Sequence, residues 1–247
     1  MTAAPLRDLE SLANANLERH LEHNPYPGRG LVVGRARGDA GWLLVYWIMG
    51  RSESSRARRF VADGTTLRTE PTDPAKIRNP ELVIYEAMLE RPGLYLVGNG
   101  DQTRTAHERL GAGGRFEDAL ATRAHEPDGP NWTPRITGLL DLRGAPRVAL
   151  SILKASPADP ARTDRFIYRP SPPPQGLGLG ITTYRGDGDP LPSFEGEPLW
   201  LPLEASAEAT LERYWDALDP ANRVALAVKP VTHGGASGRI ALRNRCG

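Results

Sequence analysis

Apolar positions in this chain come in short runs, and the clearest pair sets the frame for the rest. Gly30 to Val33 and Trp42 to Met49 read as paired strands, with the glycines of Gly38 to Gly41 making the turn between them. Further short runs bounded by Gly, Pro or Asn place strands over residues 29–36, 41–49, 58–62, 81–88 and 93–98. Strand character returns at Ile136–Leu142, Val148–Leu153, Arg165–Tyr168 and Leu179–Tyr184, and Val224–Val228 and Arg239–Leu242 close the chain. Helical spacing is confined to a few places. Leu9, Leu12, Leu17 and Leu21 predict an amphipathic helix that Pro25 and Pro27 end. Asp101–Leu110 and Arg115–Arg123 predict a helix pair split at Gly111, Gly113 and Gly114, and Ala205–Leu218 a third helix with Leu211, Tyr214, Trp215 and Leu218 as its apolar stripe. Strands, then helices, then strands again imply antiparallel sheets covered by helices, an α+β arrangement. The run Arg169 to Gly176 is too short for a domain linker, so the expectation is one domain, residues 26–247, behind a helical extension of residues 1–25.

Composition narrows the class of partner. Thirty-one Lys and Arg stand against 30 Asp and Glu in 247 residues, a balance that gives no support to general nucleic-acid binding. Clustered arginines therefore point to a local anion site. The single cysteine, Cys246, cannot form an internal disulfide, which suits a reducing cytoplasm. Charges run through the N-terminal segment, and no stretch approaches the roughly 20 apolar residues of a membrane span, so a soluble, unprocessed, cytoplasmic protein is expected, with no membrane partner. Five scattered histidines show no pair at i, i+4 and no cysteine partner, which argues against zinc.

The chemistry concentrates after the second apolar run, where Gly50, Arg51, Ser52, Ser54, Ser55, Arg56, Arg58 and Arg59 crowd one strand end. Guanidinium forks and hydroxyls there suit a phosphate or another anion. By spacing alone a solvated basic turn explains the same residues.

Several separated blocks, in order, add to that reading: YPGRGLVVGR with YWIMGRSESSRARRF, NPELVIYEA (79–87), VGNGDQTRT (97–105), EPDGPNWTPRI (126–136), the segment around Thr182 to Tyr184, and AVKPVT (227–232). Together they resemble the archaeal-type IMP cyclohydrolase family, over roughly Tyr26 to Arg243. The resemblance implies a four-layered αββα sandwich similar to N-terminal-nucleophile hydrolases. It also implies dehydrative closure of 5-formamidoimidazole-4-carboxamide ribotide to IMP, with a small ribonucleotide as partner. That reaction is intramolecular and requires no cofactor or metal; it needs the two substituents oriented, the developing oxyanion stabilised and protons moved.

The same resemblance implies roles for individual residues. Arg56 matches the family's active-site arginine and Tyr85 its tyrosine, while Glu126 is the candidate carboxylate. Arg51 and Ser52 follow as ribotide ligands. Asn99, Gly100 and Asp101 form a strand-to-helix corner, where Asp101 also suits an ordinary N-cap, and Asn131, Thr133 and Arg135 complete the expected pocket wall, Arg135 alternatively paired to a buried carboxylate. Two departures stand out. Glu53, Ser54 and Ser55 lie where archaeal members carry a more apolar insertion. The first core strand follows Pro27 and Gly28 and not a free Cys, Ser or Thr, so nucleophilic amidase chemistry is not expected, the mature chain should keep its extension, and Cys246 should be dispensable. A cyclase for a related formamido-heterocycle and a non-catalytic nucleotide-binding module remain the alternatives, and the sequence leaves homo-oligomerisation open.

Overall fold

The structure, a computed structural model, describes residues 3–245. Met1, Thr2 and Cys246, on which the last two expectations turn, lie outside the described residues. In chain order the protein forms α1 (Ala3–Leu17), continued by a π-helical turn (Glu18–Glu22), then β1 (Gly30–Arg35), β2 (Trp42–Met49), α2 (Glu53–Arg56), β3 (Arg58–Asp63) and β4 (Thr66–Pro71). There follow α3 (Pro80–Val83), β5 (Glu86–Arg91), β6 (Leu94–Gly98), α4 (Gln102–Gly111), α5 (Phe116–Ala121), β7 (Arg135–Asp141), β8 (Arg147–Ser156) and β9 (Asp159–Tyr168). The chain closes with β10 (Leu177–Thr182), β11 (Leu199–Pro202), α6 (Ala207–Ala217), β12 (Arg223–Val231) and β13 (Ala241–Asn244).

These strands make two antiparallel sheets, ordered β11-β10-β1-β2-β12-β13 and β3-β4-β5-β6-β7-β8-β9. The sequence of β2 explains how they stack. All eight of its residues are buried, which a strand with one wet face would not tolerate. Leu44, Tyr46 and Ile48 point into the layer between the sheets, where they meet Tyr95, Val97, Ile136, Leu150 and Ile152 of the second sheet. The alternate residues Leu43, Val45, Trp47 and Met49 point the other way, onto Leu17 and Leu21 of the N-terminal helix and Leu211, Tyr214 and Trp215 of α6. On the far side of the second sheet, Leu94, Leu96, Leu139 and Leu153 bury against Ala106, Leu110, Phe116 and Leu120 of α4 and α5. Helices therefore cover the outer face of each sheet, giving an α+β sandwich.

The N-terminal helix docks through Ala13, Leu17 and Leu21, spaced by four, while Leu12 is exposed. Three strand expectations need correction. Residues 81–88 are not one strand: Pro80, at the first turn after Asn79, starts the short helix α3, and the strand begins only at Glu86. Strands β4 and β11 were not anticipated: β4 is largely polar and alternates half-buried and buried residues, and β11 is only four residues long and ends in a proline. Strand β9 begins six positions before Arg165, since its exposed charged half lies at the sheet edge and carries no apolar signal.

At one end of the sandwich, the entry to β1, the exit of β2, the exit of β10 and the approach to β7 converge. Register places Gly30 opposite both Trp47 and Thr182, so the three central chain ends emerge side by side. Backbone bonds tie them: Thr183 donates to the Arg29 carbonyl (2.8 Å), Tyr184 to that of Pro27 (3.2 Å), and Arg29 to Thr183 Oγ1 (3.1 Å). Gly28 sits within this knot at φ +74, and a side chain there would collide with Thr183 and Tyr184.

Candidate active site

A cavity of about 430 Å³ opens at this end of the sandwich. Its deep part is built around Arg29, delivered by the entry to β1. Two of its guanidinium nitrogens donate to the two carboxylate oxygens of Glu126, both at 2.9 Å, a bidentate pair with both partners buried. The Asn99 carbonyl accepts a further, longer bond from Arg29 (3.4 Å). Burial works against the Arg29 charge, yet the Glu126 carboxylate and the hydroxyls of Tyr85 and Tyr46 hold it well above its ordinary value. Burial also pushes the Glu126 carboxyl above its usual range, against the pull of Arg29. The result is a desolvated acid fixed in place on the cavity wall.

Beside it the segment before β7 folds back on itself. Asp128 accepts the Thr133 amide (2.6 Å) and, through its other oxygen, the Thr133 hydroxyl; that hydroxyl also meets the Tyr184 hydroxyl. Tyr184 stacks on Tyr26 with ring centres 6.0 Å apart, and the Arg51 guanidinium lies over Tyr26 at 4.9 Å. Asn131 holds the opposite loop by accepting the Leu191 amide (3.0 Å).

The outer part is the arginine loop. Ser52 caps α2, accepting from the Ser55 amide (3.1 Å), while Ser55 Oγ accepts from the Ser52 amide (3.1 Å). The loop carries Arg51, which pairs with Asp187 and donates to the Gly188 carbonyl (3.2 Å). Lys76 pairs with Glu53 at 3.2 Å. Two cations of the lining have no carboxylate partner among the described residues, Arg58 and Arg78. Arg58 is the more telling. It is only 4% exposed; its Nε donates to the Ser55 carbonyl (3.0 Å), and its Nη1 has no hydrogen-bond partner. A buried guanidinium nitrogen left unsatisfied is costly in a finished fold and useful where an oxyanion is to come.

The structure thus brings together Arg51, Ser52, Glu126, Asn131 and Thr133 of the residues singled out in the sequence. It does not bring the others to the cavity. Arg56 donates to the Gly50 carbonyl (2.8 Å) and to Asn222 (3.2 Å), bracing the loop from behind. Tyr85 is buried, with its hydroxyl 2.7 Å from that of Tyr46, behind the cavity wall. The corner of Asn99, Gly100, Asp101 and Arg135 is closed on itself. Asn99 accepts from the Ile136 amide (2.7 Å) and from Gln102 (3.0 Å) and donates to the Pro134 carbonyl (2.9 Å). Arg135 grips Asp101 and Gln102, and Asp101 also grips Arg123 and makes no side-chain cap of α4. Gly100 is pressed against Arg135, which leaves no room for a side chain.

Tyr26, Arg29, Arg78, Asp128 and Tyr184 are cavity residues that the sequence reading left unassigned, and Arg58 is one that it named only as a member of the arginine cluster. All but Arg78 lie inside quoted blocks, so the signal was present, but ordered motifs do not say which side chains face the same space.

Residues 26–235 match the family described as IMP cyclohydrolase-like protein. An IMP cyclohydrolase of Methanothrix thermoacetophila is 32% identical over 124 residues, an alignment covering 49% of this chain and 60% of that protein. The chain therefore spans less than two thirds of that relative.

Proposed function

This chain belongs to the IMP cyclohydrolase-like protein family, and we propose that it closes the formamido-imidazole-carboxamide ribotide to IMP, the ring-forming step of purine nucleotide synthesis. The carrying observation is the division of one cavity into a cationic outer part, with Arg51, Arg78 and the Ser52–Ser55 loop, and a desolvated inner part holding the buried Arg58 and Glu126 on Arg29. A ribotide has that same division. Its phosphate suits the outer arginines and hydroxyls, and its heterocycle, carrying both reacting groups, suits the inner wall.

The reaction is already tethered, so the protein's task is to hold carboxamide and formyl group coplanar, to answer the charge that develops on the formyl oxygen, and to move protons. Arg58, with Nη1 unsatisfied, is the donor for that oxygen. Glu126, raised by burial, is the acid–base carboxylate, and Arg29 is the residue that positions it. Arg56 and Tyr85, which the family resemblance put at the reacting centre, act in this arrangement through the loop and the wall they brace. Residues 26–247 form the catalytic unit, of a fold related to N-terminal-nucleophile hydrolases, with residues 1–25 as its helical extension. No helix among the described residues is long and apolar enough to cross a membrane, in keeping with work on a small nucleotide in the cytoplasm.

Purified protein should convert the ribotide to IMP without added metal or nucleotide, at a rate unchanged by chelator, followed by the absorbance of the product. A folded protein that yields no IMP above the uncatalysed rate overturns the proposal and favours a related formamido-heterocycle or a binding role.

A further inference from the structure

The hydrogen bonds around Tyr184 fix which way its proton points. Asp128 has its two oxygens engaged by Thr133, one by the backbone amide and one by the hydroxyl. An ionised carboxylate only accepts, so the single hydroxyl proton of Thr133 is committed to Asp128. Thr133 Oγ also lies within hydrogen-bond distance of the Tyr184 hydroxyl. With its own proton spent, Thr133 can only accept there, and the Tyr184 proton is committed to Thr133. The lone pairs that Tyr184 has left are therefore what it presents to the cavity it lines. Its ring is held in that pose from both directions, stacked on Tyr26 and fastened to the β1 entry through its backbone bond to Pro27. Burial keeps the hydroxyl protonated well above neutral pH, with Thr133 and Arg29 pulling the other way.

The cavity wall is consequently polarised. Tyr184 and Glu126 offer acceptors, whereas Arg58 offers a donor. Resting on the cyclohydrolase reading, we propose that Tyr184 is a catalytic residue that accepts a hydrogen bond, and then a proton, from the carboxamide nitrogen of the substrate, with Thr133 and Asp128 as the relay behind it. As that nitrogen bonds to the formyl carbon, one of its two protons passes to Tyr184 Oη, the Tyr184 proton to Thr133 Oγ, and the Thr133 proton to Asp128 Oδ2. The formyl oxygen becomes an alkoxide facing Arg58. It then leaves as water with two protons, the one stored on the relay and the one lost by the formamido nitrogen as the new carbon–nitrogen double bond forms. The nitrogen retains its second proton in the product ring, and the relay returns to its starting state. No oxidant, reductant or further reactant enters. The same polarity makes Tyr184 a selector: it favours a carboxamide, which donates, over a carboxylate, which cannot.

Two measurements test this. In steady-state IMP formation, Tyr184→Phe should lower kcat about 100-fold with KM changed less than about threefold, the signature of a group acting in proton transfer. Thr133→Ser, which keeps the relay hydroxyl, should turn over at least about ten times faster than the isosteric Thr133→Val. In calorimetric titration, the wild-type protein should bind 5-aminoimidazole-4-carboxamide ribotide about tenfold more tightly than its 4-carboxylate counterpart, a difference that Tyr184→Phe removes. A wild-type protein that makes IMP alongside an equally fast Tyr184→Phe variant overturns the relay and leaves the cyclohydrolase reading standing. A protein that makes no IMP yet shows the Tyr184-dependent preference for carboxamide supports the acceptor assignment and overturns the reading. Equal binding of the two ribotides overturns the assignment itself.

Discussion

Two strand ends of this protein look alike in sequence and differ in what their polar groups do. The loop after β2 and the corner after β6 both present Gly, Arg and small polar residues where a ligand would be expected. At the corner, Asn99 has its side-chain oxygen and nitrogen both engaged, Arg135 serves Asp101 and Gln102, and Asp101 holds two arginines. At the loop, Arg58 is buried with a nitrogen unsatisfied, and Arg78 has no carboxylate partner among the described residues. Residue type is the same in both places, and the Thr103 hydroxyl at the corner is unpartnered too; what separates scaffold from site is that the corner's charged groups Asp101 and Arg135 are paired and, among the described residues, Arg58 is not.

The buried pair between these regions is the place to break the comparison hardest. Arg29→Met strands the Glu126 carboxylate in a dry wall, so it should cost about 3–5 kcal/mol of unfolding free energy as well as activity, read from urea titration. If the loss is under about 1 kcal/mol, water reaches Glu126 and its wall is not desolvated.

Arg58→Met and Arg135→Met sharpen the contrast directly. The first should lower turnover about 100-fold and move stability by less than about 1 kcal/mol, because it removes a group the fold leaves unsatisfied. The second should cost about 1–2 kcal/mol of stability and leave turnover of the folded fraction nearly intact. Exchanged outcomes would make the corner the site and the loop the scaffold.

The two carboxylates should also titrate in opposite senses. Burial would raise Asp101, but hydrogen bonding to Arg123 and the charge of Arg135 outweigh it and hold the group below 3.8. Its stabilisation is complete above that value and is lost as pH falls through the folded value. Glu126 sits above 4.5 because burial outweighs Arg29. The folded state then holds its proton more firmly, so this contribution is present below 4.5 and is lost as pH rises through the folded value. Stability profiles from about pH 3 to about pH 7 should therefore flatten on the acid side in Asp101→Asn and on the opposite side in Glu126→Gln. Parallel changes in the two variants would refute the difference in environment.

The smallest effect is expected at Arg56. Its bonds to Gly50 and Asn222 brace the loop without entering the cavity, so Arg56→Ala should cost under about 1 kcal/mol and lower kcat/KM less than tenfold, mainly through KM. A larger fall in kcat would return Arg56 to the reacting centre.

Much of the fold was legible in the chain. The unbroken apolar run of β2 already implied burial on both faces, and the stripe of α6 named the residues that now cover one of them. Local patterns carry such information because a strand or helix buries what its own period presents. Strand β4 escaped because its partners β3 and β5, not its own apolar content, hold it in place, and β11 because its apolar run is only four residues long. For the site, sequence supplied the motif blocks and hence the family, together with Arg51, Ser52, Glu126, Asn131 and Thr133 as cavity residues. It could not separate Arg58 from Arg56, two positions away, because Arg56 ends the one turn of α2 and lies against Asn222, whereas Arg58 opens β3 and is buried. Nor could it show that Arg29 meets Glu126 across 97 positions, or that Tyr184 joins Thr133 across 51. Which polar groups satisfy one another, and which remain for a ligand, depends on distances between segments far apart in the chain, and only the packing of the two sheets sets those distances.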